Sequence, residues 1–433
     1  MSARDALGAA SNLDWLFSLQ RFGVKPGLGP IRALLTELGS PDERLRCVLV
    51  AGTNGKGSVA RVLAASLMKA GERVGLYTSP HLQRLGERVQ VDLAPEPHER
   101  MEELIGRVRP AAERHGNTFF EVVTAAALLR FAEAGVAWAV LEVGLGGRLD
   151  ATNAVRPELS VITSVALDHT AVLGATLEEI AFEKAGVMRP GVPLISGVTE
   201  PRPAGVIARR AAEVGAGLTV YGKDFWGEDA RLAWEGTSFT WRHPGAASDG
   251  VRVASGLVGR HQVANLTLAL EAGCRLGVGL EEALDAVRHA RWPGRLESFW
   301  LQGRRVVLDG AHNPAAARAL AAAITELTGE AAVLVFGASA DKDVAGVVAA
   351  LAPVARRTVV THAVHSPRAM APLDLAALLP GATVADDPGA ALEAALGLSR
   401  PGETVVVAGS LFLVGEARDR LTGDAGEDRP RWQ

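Results

Sequence analysis

Short β-branched runs alternate with longer Ala/Leu-rich stretches along most of this chain. That order predicts α/β architecture around a mainly parallel sheet, because strands covered on both faces read as unbroken apolar runs. Cys47–Ala51 reads as a buried strand, followed by a helix over Ser58–Ala70 that Gly71 closes. Ala137–Val143, Leu159–Val165, Val192–Ser196 and Leu218–Tyr221 continue the strand series. Residues 224–260 change character. Trp, Phe and Thr alternate there with charged residues, as in Leu232-Ala233-Trp234 and Phe239-Thr240-Trp241, which predicts a small antiparallel sheet. Gln262–Leu276 reads as a helix. From Arg305 a second βα series begins, with strands at 306–308, 331–336, 357–361, 382–385 and 404–407. The segment Arg291-Trp292-Pro293-Gly294-Arg295 reads as the boundary between the two series. The expected organisation is a P-loop-type domain over 1–295, with a mainly parallel sheet and a small antiparallel one. A smaller Rossmann-like α/β domain over 296–421 and a disordered tail over 422–433 complete it.

Composition narrows the function classes. The chain has 433 residues, 48% of them hydrophobic and 22% charged, which excludes disorder over most of its length. With 45 Lys and Arg against 49 Asp and Glu, the net charge of −4 argues against a nucleic-acid binder, which needs a basic surface. Aromatics at 5% argue against a base-stacking platform. The only cysteines, Cys47 and Cys274, point to a reducing, cytoplasmic setting rather than a disulfide scaffold. No apolar run approaches the roughly 20 residues that span a bilayer. Arg4, Asp5, Asn12 and Asp14 stand where a signal peptide needs an apolar core.

The strongest chemical signal is Gly52-Thr53-Asn54-Gly55-Lys56-Gly57-Ser58, after a strand and before a helix. Glycines let such a turn fold tightly and bring its N–H groups to phosphate oxygens. The following helix N-terminus favours negative charge. Lys56 would neutralise the outer phosphates, and Ser58 offers a hydroxyl. Two residues rather than four separate Gly52 from Gly55-Lys56, so the spacing departs from the common phosphate loop. Gly144-Leu145-Gly146-Gly147 lacks the third glycine of a dinucleotide fingerprint and is not read as one.

Nucleotide chemistry needs a divalent cation. Glu142 and His169 end predicted strands, and Ser79 ends an earlier one, so a carboxylate, an imidazole and a hydroxyl leave neighbouring strand ends. His169 reads equally well as a core histidine bound to a carbonyl. Asp168 reads as a cap on the turn before Thr170. Asp309 follows Val306-Val307-Leu308 and reads either as a ribose or base partner or as a helix cap.

Val50–Ser58 resembles the ATP loop of folylpolyglutamate synthases and dihydrofolate synthases, in the Mur ligase superfamily. The resemblance continues through Tyr77-Thr78-Ser79-Pro80-His81-Leu82, Leu141–Asn153, Asp168-His169-Thr170 and Phe182-Glu183-Lys184-Ala185-Gly186. It runs on through Gly259-Arg260-His261-Gln262 with Asn265, Trp292-Pro293-Gly294-Arg295, Leu308–Pro314, Asp341-Lys342-Asp343 and Ser366-Pro367-Arg368. It thus covers residues 12 to 415 in order.

The resemblance implies carboxylate–amine ligation. ATP phosphorylates a dihydropteroate or folate carboxylate, and the amine of L-glutamate attacks the acyl phosphate. It implies ATP binding by Asn54, Gly55, Lys56, Gly57, Ser58, Asn265, Arg295 and Asp309, with Lys56, Lys184 and His312 in catalysis. Ser79, Glu142 and His169 match metal ligands, for two Mg²⁺ ions. Thr118, Phe119, Phe120 and Glu121, with Leu149, Asp150 and Ala151, match the pterin-substrate segments. Phe119 and Phe120 have the shape to stack on a pterin, although core packing suits the same positions. Lys184 is implied to be carboxylated by CO₂. A cytoplasmic monomer acting on small molecules is the expected setting.

Two other readings compete. A cell-wall Mur ligase carries a UDP-sugar domain where this chain has about 45 residues before Cys47. A P-loop regulatory ATPase has no need of Arg295, Asp309 and His312.

Overall fold

The computed structural model describes residues 11–19, 27–244 and 249–424. The first apolar run lies in the middle of an eight-stranded sheet. Its strands are Arg46–Ala51 (β1), Val74–Tyr77 (β2), Val89–Val91 (β3), Ala94–Pro95 (β4), Trp138–Glu142 (β5), Pro157–Ile162 (β6), Leu194–Ser196 (β7) and Leu218–Val220 (β8). They lie in the order β4-β3-β2-β5-β1-β6-β7-β8. The β2–β3–β4 edge is antiparallel and the remaining pairings are parallel. Cys47, Leu49 and Ala51 enter the core on one face of β1, and Val48 and Val50 the core on the other. Two covered faces are why β1 reads as an unbroken apolar run.

The apolar pattern does not single out β2, which is four residues long and contains Gly75. That glycine has a packing reason: a Cβ there would lie 2.5 Å from the ring of Phe131. β6 stops at Ile162, earlier than its apolar run predicts. The next residues, Thr163 and Ser164, turn to serve the glycine-rich loop.

The alternating segment forms the expected antiparallel sheet, Trp226–Ala233 (β9), Gly236–Arg242 (β10) and Val251–Ser255 (β11). Its Phe239, Trp241 and Val253 share one core with Val263 and Leu266 of the helix His261–Arg275.

The second βα series builds a six-stranded sheet from Glu297–Leu301 (β12), Arg304–Leu308 (β13), Ala332–Phe336 (β14), Ala355–Val360 (β15), Thr383–Val384 (β16) and Thr404–Ala408 (β17). The order is β12-β13-β17-β14-β15-β16, with β12 antiparallel to β13. β12 escapes the apolar pattern because, as an edge strand, none of its residues is fully buried. Val307 packs into the core on one face and Val306 and Leu308 into that on the other.

β5 and β6 flank β1 on opposite sides, so the connections diverge at its carboxyl end and leave a crevice there. The final helix, Leu411–Thr422, runs one residue into the segment expected to be disordered and closes at Gly423. Residues 425–433 of that tail, and Arg4 and Asp5, lie outside the described residues. Among the described residues no helix is long and apolar enough to cross a membrane.

Candidate active site at the domain boundary

Between β1 and the helix Lys56–Lys69 the chain turns within four residues. Gly52 (φ 146°) and Gly55 (φ 86°) take backbone values that side chains resist. Space forbids a side chain as well. A Cβ on Gly52 would lie 1.9 Å from Thr163 Oγ1, and one on Gly55 2.2 Å from Asn265 Oδ1. Thr163 and Ser164 donate their hydroxyls to the Asn54 carbonyl at 2.6 and 3.0 Å. Asn265 is itself fixed by donating to Gln262 Oε1 at 2.9 Å. Trp292 covers the loop so closely that a Cβ on Gly57 would meet its ring at 3.0 Å. Ser58 is buried in the first helical turn. The loop is therefore held in one shape before any anion arrives, with the helix N-terminus behind it.

Lys56 donates from Nζ to the carbonyls of Gly52 and Thr53, both at 3.0 Å. The residue keeps some surface exposure, but its ammonium is enclosed. Lost hydration lowers its pKa, against the opposing charges of Glu142 and Asp168.

Glu142, at the end of β5, is buried and accepts the Ser79 N–H at 3.1 Å, so these two expected metal ligands are neighbours. Burial raises the Glu142 pKa, and Lys56, the Ser79 N–H and Arg295 pull it back. His169 stands beyond β6 with φ +50°. Its Nε2 accepts from the Lys342 ammonium at 3.0 Å, and its side chain keeps 30% exposure. Burial first, then the Lys342 charge, lowers the His169 pKa to about 4, leaving a neutral ring. Among the described residues no group of three or more His, Cys, Asp or Glu is arranged to hold a metal alone. The structure brings Ser79 and Glu142 together, and among the described residues no hydrogen bond or ion pair joins His169 to either. A hydroxyl, a buried carboxylate and a neutral imidazole are donor types that suit Mg²⁺ or Mn²⁺ with phosphate and water.

Asp168, read from sequence as a turn cap, is the hub of the boundary. Its Oδ1 accepts Lys342 Nζ at 2.7 Å, and its Oδ2 accepts Asn313 Nδ2 at 3.1 Å. His312 Nε2 lies 3.5 Å from Oδ2. Burial alone would raise the Asp168 pKa; the hydrogen bond and charge of His312, with Lys342 and His169, instead hold it well below the usual carboxylate range. Asn313 and Asn54 also exchange amide hydrogen bonds at 3.0 and 3.3 Å. The carboxyl end of β6 and the glycine-rich loop thus meet the segment after β13.

In that segment, Asn313 caps the helix Pro314–Thr328 by accepting from Ala316 N, so the capping reading of Asp309 is corrected. Asp309 instead accepts the N–H groups of Leu296 and Ala311, each at 2.9 Å, and braces the linker. His312 Nδ1 donates to the Gly310 carbonyl at 2.8 Å. Arg295 lies across Gly310, where a Cβ would come within 2.2 Å of its Nη1, and its charge reaches Lys56 and Glu142.

The expected substrate segments divide. Thr118 and Glu121 form a capping box for the helix Phe119–Ala134. Phe119 is buried, with the Phe17 ring centroid 5.7 Å and the Arg88 guanidinium 5.2 Å from its own, so of its two readings the structure favours core packing. Phe120 is only partly buried and lies beside Tyr77 at 5.9 Å and over Gly144. Asp150 is buried and folds the 144–150 loop by accepting from Leu145 N and from Thr152 N and Oγ1. Leu149 is half-buried and Ala151 buried. Lys184, on the helix Leu177–Ala185, is 3% exposed. Burial, reinforced by the nearby Lys56 charge, lowers its pKa to about 7.

Sequence reasoning missed Thr163, Ser164, Trp292, Asn313 and Lys342 as parts of this constellation. Their only signal was membership of short blocks near the loop or strand ends.

Residues 50–273 match the Mur ligase middle domain, and residues 294–411 the Mur ligase glutamate ligase domain. The chain is 34% identical over 431 residues to the dihydrofolate synthase/folylpolyglutamate synthase of Bacillus subtilis, covering 94% of this chain and 98% of the relative. It is 40% identical over 429 residues to a probable bifunctional folylpolyglutamate synthase/dihydropteroate synthase of Haloferax volcanii. That match takes in 95% of this chain, which spans about half (50%) of the longer relative. Escherichia coli FolC, solved in complex with DHPP and ADP, superposes with a TM-score of 0.87 at 32% identity, over 96% of this chain and 98% of that one. A bifunctional folylpolyglutamate synthase/dihydrofolate synthase with Mn, AMPPNP and L-glutamate bound superposes with a TM-score of 0.85 at 31% identity, over 96% and 98%. By these matches along nearly its whole length, the chain belongs to the folylpolyglutamate synthase/dihydrofolate synthase family of Mur ligases.

Proposed function

We propose that the protein joins L-glutamate to the carboxylate of dihydropteroate and of folates, using ATP and a divalent metal, through an acyl phosphate. The observation that carries the reading is the meeting of the Lys56 loop with His312, Asn313 and Lys342 of the second sheet on Asp168. A regulatory ATPase needs the loop and not that second set. The relatives solved with ADP, AMPPNP, Mn, DHPP and L-glutamate support each substrate class.

The chain's own residues supply binding, orientation and exclusion of water. The loop N–H groups and Lys56 take the phosphates, Asn265 keeps Gly55 in place, and Trp292 covers the loop. Arg295 offers a guanidinium to the outer phosphate from the linker. Ser79, Glu142 and His169 would hold the metal, whose charge offsets that of the phosphates during transfer. His312 and Asp168 orient groups arriving from the second domain, and the closed boundary keeps water from the acyl phosphate. Phe120, beside the 144–150 loop, is the ring for the pterin.

The reading is tested by ADP release with and without dihydropteroate and with and without L-glutamate. Glutamate-dependent turnover is expected; release indifferent to both substrates would favour the regulatory ATPase.

Two substitutions separate roles within the site. Glu142→Gln keeps the shape but removes the charge facing the metal. It is expected to raise the half-saturating Mg²⁺ concentration several-fold while leaving the KM for dihydropteroate close to wild type. An unchanged Mg²⁺ curve would make Glu142 structural.

Phe119→Ala empties core volume and is expected to cost about 3 kcal/mol of stability. Phe120→Ala is expected to change the melting temperature less and raise the KM for dihydropteroate roughly tenfold, the loss of one stacked ring. Thermal melts and initial rates on both variants check the pair, and equal effects on both readouts would erase the distinction.

A further inference from the structure

Lys342 reaches His169, one of the three expected metal ligands, as a cation. Its side chain is 4% exposed, and its ammonium donates to Asp168 Oδ1 at 2.7 Å and to His169 Nε2 at 3.0 Å. An ammonium has no lone pair, so His169 must be the acceptor, with its Nε2 lone pair aimed at Nζ and its ring proton on Nδ1. A neutral imidazole nitrogen has one lone pair. It bonds to a metal at about 2 Å or accepts an N–H, and it does not do both.

Lys342 reaches His169 from the other sheet, across the boundary tied by Asp168, Asn313 and Asn54. We infer that Lys342 is a resident counter-cation, a positioning residue that occupies the coordinating lone pair of His169 and gives it up when the metal binds. The inference rests on the metal reading of His169 proposed above.

Two consequences follow from one lone pair serving two cations. Metal loading removes one of the two hydrogen bonds of Lys342 and loosens the tie between the sheets. By reciprocity, an intact tie weakens metal binding by the same factor. The site therefore stays closed around its own ammonium, and an arriving metal both displaces that ammonium and frees the boundary to rearrange around substrates. Asp168 keeps His312 and Asn313 throughout, so the loosening is partial.

The test is Mn²⁺ binding to the nucleotide-free protein, followed by electron paramagnetic resonance, in the wild type and in Lys342→Met, each with and without His169→Ala. Lys342→Met is expected to bind Mn²⁺ at least about tenfold more tightly, with the gain abolished by His169→Ala. A residue that merely supports the fold does not tighten metal binding when removed. If His169→Ala weakens binding but Lys342→Met leaves it unchanged or weaker, the competition is wrong while the metal reading stands. If His169→Ala has no effect in the wild type, both are wrong. Lysine acetylation footprinting of the wild type supplies a readout that needs no folded variant. Lys342 is expected to be protected without metal and several-fold more reactive at saturating Mn²⁺, and unchanged reactivity would overturn the inference.

Discussion

Lys56→Ala is expected to abolish ligation with the fold intact. The ammonium sits under the loop on the carbonyls of Gly52 and Thr53, where a phosphate would draw it outward by one side-chain rotation. Arg295 comes from the linker, so within the loop Lys56 is the one cation opposite the outer phosphates. Losing a charge-assisted contact in a water-poor site costs on the order of 3 kcal/mol or more of transition-state stabilisation, at least about a hundredfold in rate and enough to take ligation to background. Stability should change little, because the loop is braced independently by Thr163, Ser164 and Asn265. Initial rates with a thermal melt check both halves, and turnover within a few-fold of wild type would remove Lys56 from the phosphate site.

Lys184→Ala should have the next largest effect. A lysine amine adds to CO₂ only when neutral, forming an N–C bond and releasing a proton to leave a carbamate anion. Burial already lowers the Lys184 pKa to about 7, so a large neutral fraction exists near neutrality. The charge of Lys56 is the second cause of that lowering. Repulsion from Lys56 would become attraction if Lys184 carried the expected carbamate, which would remove that second cause while leaving an anion to be stabilised in the buried site. The alanine variant is expected to lose about a hundredfold in rate, with partial recovery in acetate, which restores a carboxylate. In limiting bicarbonate, wild-type activity should fall as pH drops below 7, because the protonated amine no longer reacts. Full activity of the variant, or an unmodified amine in crystals grown at neutral pH with bicarbonate, would refute the carbamate.

Much of this arrangement was legible in sequence for a physical reason. Strands buried on both faces, such as β1 and β5, leave unbroken apolar runs, and a phosphate loop needs glycines at fixed points. Edge strands leave no such trace, as β12 shows. The boundary hub was illegible for another reason. Asp168 and Lys342 are 174 residues apart, and Asp168 and Asn313 are 145 apart, so no local pattern marks them as partners. Asp168 alone looks like any turn aspartate. Phe119 and Phe120 are adjacent and chemically identical. Only the helix direction set by the Thr118–Glu121 box turns one ring into the core and leaves the other beside Gly144.

Amide formation between a pterin-bearing carboxylate and glutamate is read directly by the mass of the product. Purified protein is incubated with dihydropteroate, ATP, Mg²⁺ and L-glutamate. The expected product is heavier than dihydropteroate by one glutamate less one water, with one ADP released per bond. Dihydropteroate recovered unchanged while ATP is hydrolysed would contradict the proposed ligation.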